Sequence, residues 1–390
     1  MKGLKLENGL TIFADVRSGK ELSVSATVNV GHVNEPRLGM AALYEKMLAY
    51  RCPKVQAVYG GVITSYLTGC PQEKLEETLA ALAKLFINPE IDEGLLAEAK
   101  EDIIRHTKDM APLPKRQMKL LYKHTAFGQR RVVWDTSVYI NAVRSYTLRQ
   151  MKNFAAKYYV GANMVLVVSG QIKEEELLPL VSKYFGSLPM GEKIALPKEI
   201  YTGGYAELPA MGVYQQVMLG WDVSDLRDAA EANVMMSMLS GRLERSFIGM
   251  PVDCEVKIAG YYGRRTLRIS VVSSDPNGLN PAIDAVCNNI VRLMTTLASD
   301  RRMETSRNRA ICEKLFQYSQ PQDRAIERAW QMVGRGKACD IDARINCTWT
   351  VQNDDVRDVA CRIFSQPLTM VITSAQPHYN GKEVSAKIKL

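Results

Sequence analysis

Apolar residues recur along the chain with two different spacings, which separates predicted helices from predicted strands. In 71–87, Leu75, Leu79 and Leu82 fall on one face at the spacing of an α-helix. The stretch 163–169 instead contains a short continuous apolar run, Met164–Val168, which is typical of a buried strand. Because strands and long helices are mixed along the chain, the pattern predicts an α+β fold with helices on one face of a mostly antiparallel sheet.

The first half of the chain is predicted to contain four strands and six helices. The strands are 4–16, 22–31, 59–68 and 163–169, and the helices are 37–51, 71–87, 92–110, one starting at 115, 147–158 and 173–185. Prolines at 112 and 114 end the third helix, because proline lacks a backbone donor and clashes with the preceding turn. A loop is expected over 125–137.

The second half repeats a similar order of elements. Its predicted strands are 204–208, 213–220, 253–260, 265–273 and 368–374, and its helices are 227–240, 280–298, 301–319 and 321–334. This repetition predicts an internal duplication. Between the halves, Gly186 to Tyr201 is rich in proline, glycine and charge, which is typical of a linker. The predicted division is therefore a domain at 1–190, a linker at 191–202 and a domain at 203–390.

Composition narrows the class of protein. A chain of 390 residues exceeds what one hydrophobic core usually organises, so two domains are expected. Apolar residues make up 46% and charged residues 24%, as in ordinary globular proteins. There is no run of about 18 apolar residues, so we expect no membrane span. The N-terminus has no apolar signal-peptide segment, which favours a cytoplasmic location.

The cysteines and the net charge exclude other classes. Eight cysteines occur without a C-x-x-C pair, which indicates reduced thiols in a large globular chain. The formal charge is +8, but the basic residues are dispersed and lack interleaved aromatic residues. We therefore expect no nucleic-acid partner, and interpret the charge as a solvated face or a surface for an acidic peptide or partner.

One segment, Gly39-Met-Ala-Ala-Leu-Tyr-Glu-Lys-Met-Leu48, has the frame of a zinc-binding helix. Other segments resemble parts of the same protein family as this helix, namely Leu6–Leu10, Ser23–Pro36, Asn88-Pro89, Tyr158–Gly170, Lys183–Pro189, Tyr201–Gly204 and Val217–Trp221. Together they resemble peptidase family M16, which includes insulinase, pitrilysin and the mitochondrial processing peptidase. The resemblance covers nearly the whole chain and weakens after about residue 300. It implies two homologous LuxS/MPP-like metallohydrolase domains.

The resemblance implies a metal site whose ligands have been replaced. In the family two histidines at i and i+4 hold zinc, and the glutamate before the second is the general base. Here those histidine positions are Ala42 and Lys46, while Glu45 remains. An alanine methyl has no lone pair and a lysine ammonium repels a cation. An ordinary amphipathic helix with Glu45 and Lys46 at its polar surface is the alternative, and it also binds no metal.

The third ligand of the family lies on a long helix after the Asn-Pro pair. The resemblance places His106 at the ligand position and Ala99 at the position of a helper glutamate two turns earlier. His106 and Glu45 supply only two ligands, and a tetrahedral zinc site needs at least three protein ligands. The interpretation is a degenerate site without metal, in which His106 is an exposed or capping residue.

Active members also carry an Arg and a Tyr in their second half, which bind substrate and stabilise the oxyanion. The resemblance places these at Ile248 and at Cys254 or Glu255, so both are lost. Arg245 and Tyr261 or Tyr262 are close in sequence, and a local shift of a few residues stays open.

A strand after Gly60-Gly61 resembles the family's edge strand, which holds extended peptides by β-augmentation. The predicted peptide-binding residues are Gly61, Val62, Ile63, Thr64 and Ser65. Ordinary strand pairing explains the same residues equally well.

Three functional hypotheses follow. The first is a non-catalytic M16 homologue that forms the structural and substrate-binding subunit of a clamshell-shaped, dimeric zinc peptidase that processes peptides. Its partner would be an active M16 subunit or a second copy, with zinc only in the partner and no cofactor in this chain. The second is a purely structural subunit of a larger complex. The third is an active metalloendopeptidase that uses Glu45 and His106 as unconventional ligands.

Overall fold

Two β-sheets organise the chain, each within its own compact unit. The computed structural model describes residues 2–19, 21–128, 136–196, 200–210, 212–226, 229–261, 264–376 and 378–389. Unit 1 comprises Met1–Lys108, Asp135–Pro197 and Leu315–Asp340, and unit 2 comprises Asp109–Trp134, Lys198–Lys314 and Ile341–Leu390. Each unit therefore takes one short segment from the opposite half of the chain.

Unit 1 contains a six-stranded sheet in the order β1-β2-β6-β3-β5-β4. The strands are β1 Leu4–Lys5, β2 Thr11–Val16, β3 Glu21–Val28, β4 Gln56–Tyr59, β5 Thr64–Pro71 and β6 Met164–Gly170. Its helices are α1 Met40–Arg51, α2 Leu75–Ile87, α3 Glu93–Met110, α5 Thr136–Ser145, α6 Leu148–Tyr158, α7 Glu174–Phe185 and α11 Pro321–Arg335. Only β2 and β6 pair in parallel, and the other neighbours are antiparallel.

Unit 2 contains a five-stranded sheet in the order β7-β11-β8-β10-β9. The strands are β7 Gly204–Leu208, β8 Gln215–Asp222, β9 Val252–Tyr261, β10 Arg264–Ser273 and β11 Thr369–Thr373. Its helices are α4 Pro114–Phe127, α8 Ala230–Ser246, α9 Leu279–Thr295, α10 Asp300–Gln317, α12 Ile341–Thr350, α13 Asn353–Phe364 and α14 Gly381–Ile388. The division between the units places the last residues of α10 with unit 1.

The two units share one topology, which confirms the predicted duplication and the α+β class. In unit 1, β2 runs parallel to the last strand, β6, and in unit 2, β7 runs parallel to the last strand, β11. Helix α1 separates β3 from β4, as α8 separates β8 from β9. In chain order, α1 corresponds to α8, α3 to α10 and α4 to α11. The helices α4 and α11 are the ones that each half of the chain contributes to the other unit, and we call them the exchanged helices.

The exchanged helices correct two expectations. Side chains alternate between the faces of a strand, and the even-numbered apolar residues of β3 belong to the main core with α1, α2, α6 and α7. The other face carries Ser25, Thr27 and Asp15, and Asp15 pairs with α11. Helices therefore cover both faces of the sheet, not one face.

The compact units also do not follow the contiguous division 1–190 and 203–390, because each sheet obtains its second covering helix from the other half of the chain.

A buried charge cluster fixes α11 on its sheet. The carboxylate of Asp15, 3% exposed, accepts hydrogen bonds from Arg328 Nε at 3.1 Å and from Arg324 Nε at 3.2 Å. Ser169 Oγ donates to the same carboxylate at 2.8 Å. Arg328 is fully buried, so its charge depends on Asp15 for compensation.

Apolar contact and ring stacking fix α4 on the second sheet. Met118, Leu121 and Tyr122 form a small core with Met218 and Val371 of the strands. Beside it, the Arg268 guanidinium lies 4.4 Å from the centre of the Tyr122 ring. A glycine occupies position 220 because a Cβ there would lie 1.8 Å from the Tyr122 hydroxyl.

Several local elements differ from the sequence predictions. The strand expected at 4–16 is interrupted by the turn 6–9, in which the Gly9 amide donates to the Leu6 carbonyl and Gly9 has a φ of 83°. The strand expected at 59–68 is the hairpin of β4 and β5. Helices α5, α12, α13 and α14 were not predicted. The predicted loop at 125–137, the linker at 191–202 and the helix at 227–240 lie partly outside the described residues. Among the described helices, none has the length and apolar character needed to cross a membrane.

Candidate functional site

The helix α1 carries the predicted degenerate site, and its start is built by Gly39 and Glu35. Gly39 adopts a left-handed φ of 82° at the N-cap. The buried Glu35 carboxylate accepts hydrogen bonds from the Gly39 amide at 2.7 Å and the Ala41 amide at 2.8 Å. An anionic acceptor at a helix N-terminus pairs free backbone donors and complements the helix dipole. The acid that precedes this helix in the sequence is therefore structural.

The turn ahead of Glu35 also has a packing role. Asn34 Oδ1 accepts a hydrogen bond from the Gly31 amide at 2.7 Å, and Asn34 Nδ2 donates to the Asn29 carbonyl at 3.1 Å. A Cβ on Gly31 would lie 2.4 Å from the Gly60 carbonyl oxygen. The Gly-x-x-Asn-Glu frame therefore joins the start of α1 to the β4–β5 turn.

Lys46, at the second histidine position, bridges α1 to α3. Its Nζ lies 3.0 Å from Asp102 Oδ2, and it lies 4.9 Å from the centre of the Tyr50 ring. The Tyr50 hydroxyl also donates to Asp102. The hydrogen bonds from Tyr50 and Lys46 hold the pKa of Asp102 below its usual range. An ammonium group with its own carboxylate partner thus lies between the two helices.

On α3 the structure separates the residues that were proposed as ligand and helper. Ala99 is fully buried in the main core, and His106 lies on the exposed side of the helix. The side chain that reaches α1 is Asp102, one helical turn before His106. Sequence reasoning missed Asp102, although it lies three residues after the inward-facing Ala99 and shares that side of the helix.

Glu45 is half-buried and lies beside tyrosines. Burial raises the pKa of its carboxyl to about 7, while the Lys46 charge opposes the rise. Its charge contributes to the raised pKa values of Tyr59, Tyr66 and Tyr159, which shows that these rings are close. The hydroxyls of Tyr66 and Tyr159 are 2.7 Å apart. A carboxyl group with this pKa can exchange a proton near neutral pH.

The donors at the implied zinc positions do not fit a zinc ion. Ala42 offers no lone pair, Lys46 is cationic and occupied by Asp102, and His106 is exposed on α3. No group of three His, Cys, Asp or Glu side chains with the arrangement of a metal site occurs within the part of the chain that the structure describes.

The predicted edge strand is not at an edge. Thr64 and Ser65 belong to β5, which pairs with β3 on one side and β4 on the other. Gly61, Val62 and Ile63 lie in the turn before it, and Ser65 Oγ is hydrogen-bonded to Thr27 Oγ1 at 2.8 Å. The outermost strand on this side, among the described residues, is β4 Gln56–Tyr59. The prediction failed because the chain forms a hairpin in which β4 covers β5.

In unit 2 the predicted Arg and Tyr positions lie at the end of α8 and in β9. Ile248 is 80% exposed in the turn after α8. Cys254 is partly buried in β9, where burial raises the pKa of its thiol to about 12. Neither side chain supplies a charged donor. Arg245 lies on α8, whereas Tyr262 and the Tyr261 side chain lie outside the described residues.

Comparison with known proteins gives related matches in sequence and in fold. The family profile described as "Peptidase M16 inactive domain" matches residues 145–309. The chain is 24% identical over 206 residues to the mitochondrial ubiquinol-cytochrome-c reductase complex core protein I of Euglena gracilis. The aligned residues cover 48% of this chain and 42% of that protein. It is 22% identical over 219 residues to the zinc protease PqqE of Helicobacter pylori, covering 50% of this chain and 49% of that protein.

These sequence matches span less than half the length of the relatives. The fold extends further. A chain of Complex III2 from Candida albicans, solved with Inz-5 bound, superposes with a TM-score of 0.88 at 12% identity, covering 100% of both chains. At this identity the superposition establishes the shared fold alone.

Proposed function

The chain belongs to peptidase family M16, and from that premise we propose that it is the non-catalytic subunit of a two-chain peptidase, with the zinc carried by its partner. In this proposal it helps to enclose a peptide and performs no hydrolysis itself. The family profile matches the M16 inactive domain, and relatives include both a respiratory core protein and a zinc protease. Those relatives support a non-catalytic M16 member, and the subunit role is our extension.

The observation that carries the proposal is the ion pair of Lys46 and Asp102. In an M16 metal site a cation held between the two helices polarises water and the peptide carbonyl. Here the cation is the protein's own ammonium group, which is held 3.0 Å from its counter-ion. Such a pair preserves the attraction between α1 and α3 without a Lewis acid. In this proposal the ion pair therefore stabilises the packing of α1 on α3 in a protein that no longer hydrolyses peptides.

Peptide binding would use the open edge of β4. The backbone of an outermost strand offers unpaired donors and acceptors to an extended chain. Residues Gln56–Tyr59 are exposed or half-buried, so another strand has access to this edge. The partner peptidase subunit or a second copy of this chain would complete the chamber. The cytoplasmic location remains a prediction from the sequence.

The test is peptide hydrolysis and zinc content, measured for the chain alone and for its complex with an M16 partner. We expect no hydrolysis and less than about 0.1 zinc per chain when it is alone, because three protein ligands are required. We expect hydrolysis by the complex, which Lys46→Met in this chain leaves unchanged. A stoichiometric zinc ion with hydrolysis by the chain alone would refute the proposal. If His106→Ala then lost both the zinc ion and the hydrolysis, the result would support the hypothesis of an active peptidase with Glu45 and His106 as ligands.

A structural subunit without any peptidase partner is the second candidate. Its support is the full-length superposition with a chain of Complex III2 and the sequence match to a core protein. Native mass spectrometry of complexes purified through this chain separates the candidates. A stable assembly whose other members lack an M16 zinc site, and which does not hydrolyse peptides, favours the scaffold.

A further inference from the structure

Unit 2 has a basic cavity between α8 and the N-terminal half of α10. Its volume is about 450 Å³, which is within the range of sites that hold small molecules. The charged residues that line it are Arg245, Arg301, Arg302, Arg309 and Glu244. No residue of this cavity belongs to the predicted degenerate metal site in unit 1.

The charge of this cavity is only partly compensated. Glu244 is held by a fork from Arg309, with Nη2 to Oε1 at 2.7 Å and Nη1 to Oε2 at 3.0 Å. Across the described residues, no acidic side chain forms an ion pair with Arg245, Arg301 or Arg302. These three arginines are exposed to solvent at the cavity, where Glu244 is the one acidic residue among the described residues of the lining. Guanidinium groups bind phosphate oxygens in a bidentate geometry.

Buried polar atoms at the cavity lack partners. Ser237 lines it and is 4% exposed, yet its Oγ has no hydrogen-bond partner in the described structure. Further along the same helix, Arg242 does not line the cavity but is next to the lining residue Gly241; it is 7% exposed, and its Nε and Nη1 have no hydrogen-bond partner in the described structure. Buried polar groups are normally hydrogen-bonded, so the Ser237 hydroxyl is a donor available to a ligand in the cavity.

The surroundings of Arg242 support the same conclusion. Burial lowers the pKa of Arg242 to about 10, and the nearby charges of Arg302, Arg292 and Arg245 lower it further. A cluster of like charges is unfavourable unless an anion compensates it. The backbone adds to this field, because Ser299 lines the cavity at the positive end of the 18-residue α10. Asp300 lies in the first turn of that helix and is not among the lining residues.

We propose that this cavity binds a small molecule that carries two or three linked phosphate groups. Several guanidinium groups spread over about 450 Å³ match a chain of phosphates better than one phosphate ion. The Ser237 hydroxyl would donate to a phosphate oxygen. This site does not depend on the proposed peptidase assembly, so the two proposals are tested separately.

The test is isothermal titration of the purified chain with inorganic tripolyphosphate at low ionic strength. We expect saturable binding at one site per chain, together with an increase of several degrees in the unfolding temperature. Sodium chloride at matched ionic strength and inorganic phosphate serve as controls, and both should bind far more weakly. Equal heats from all three would overturn the proposal, because they would indicate charge screening alone.

Variants locate the site. Arg302→Gln should weaken tripolyphosphate binding by roughly tenfold to a hundredfold, the usual effect of one charge-assisted hydrogen bond. Ser237→Ala removes only a hydroxyl and should weaken binding by several-fold without affecting folding. Arg357→Gln on α13 removes the same charge away from the cavity and should leave affinity unchanged. If Arg357→Gln weakens binding as much as Arg302→Gln, or if Ser237→Ala has no effect, the site is not this cavity.

Discussion

The helix pairs α1–α3 and α8–α10 occupy corresponding places in the two units but differ in their charges. In unit 1 the basic residue lies on the first helix, as Lys46, and the acid lies on the second, as Asp102. In unit 2 the order is reversed, with Glu244 on the first helix and Arg309 on the second. Both units therefore have an ion pair between the corresponding helices, but the helix that carries the positive charge differs between them.

The surroundings of the two bridges also differ. Beside Lys46, tyrosine rings and the half-buried Glu45 occupy the space near α1. Beside Arg309, the protein leaves a cavity with uncompensated arginines. Under our two proposals, the first helix pair holds an ammonium group where an M16 site holds a metal ion, whereas the second pair borders a cavity that binds an external anion.

The largest expected effect comes from the buried ionic anchor of α11. Asp15→Ala leaves Arg328 buried without a counter-charge, so we expect a loss of about 3–5 kcal/mol in the free energy of unfolding. Urea denaturation measures this loss. The exposed pair of Glu76 and Lys183 is the matched control, and Glu76→Ala should cost less than about 1 kcal/mol. Equal losses in the two variants would show that α11 does not depend on the buried charge.

The second-largest expected effect is a pH dependence of the free energy of unfolding that comes from the Glu45 carboxyl group on α1. Its pKa of about 7 in the folded state lies above the ordinary 4.5, so the folded protein binds more protons between these values. The contribution of Glu45 is thus fully present below about pH 4.5 and is lost as the pH rises through about 7.

Glutamine mimics the neutral acid. Glu45→Gln should match the parent at pH 5 and exceed its stability at pH 8, by at most about 3 kcal/mol. Unfolding curves between pH 5 and 8 give the comparison, and Glu77→Gln on α2 controls for the loss of an exposed carboxylate. A constant difference across this pH range would contradict the raised pKa.

A third variant examines the apolar anchor of α4. In Gly220→Ala the new methyl group overlaps the Tyr122 hydroxyl, so we expect a destabilisation of about 1–3 kcal/mol. Gly69→Ala in β5 is the control, since its Cβ would meet only the Leu22 carbonyl oxygen at 3.8 Å. Combining Gly220→Ala with Tyr122→Leu should recover part of the loss. Additive losses in the double variant would place the strain elsewhere.

The smallest effect concerns the two bridges themselves. Double-mutant cycles of Lys46→Met with Asp102→Asn, and of Glu244→Gln with Arg309→Met, should each give a coupling of about 0.2–1 kcal/mol. The forked geometry of Arg309 places its pair near the upper end of that range. A coupling of several kcal/mol at Lys46 would indicate that this bridge is needed for folding.

The elements with strong local signals were predictable from the sequence. The apolar stripe of α2 and the continuous apolar run of β6 specify their own type, and the repeated order of elements revealed the duplication. Lys46 was identified through the resemblance of Gly39–Leu48 to the M16 zinc-binding helix, in which residues four apart share one helical face. In each case the information lies within a few turns of one element.

The remaining features depend on contacts between distant segments. The apolar residues Met118, Leu121 and Tyr122 predict a helix with a buried face. The sequence of that helix does not determine which of the two sheets packs against this face. The pairing of Lys46 with Asp102 was likewise not predicted, because the register between α1 and α3 decides which residue of α3 faces Lys46. The hairpin of β4 and β5 was missed since four-residue strands leave little periodic pattern.

The exchanged helices have a consequence for the order of events during synthesis. The first 197 residues include every strand of the first sheet, but α11 lies more than a hundred residues further along the chain. Until the ribosome has released Arg335, the polar face of Ser25, Thr27 and Asp15 lacks its cover. Domain-by-domain folding from the N-terminus therefore cannot go to completion for this protein. A nascent chain that pauses in its second half would display an unfinished sheet face to chaperones.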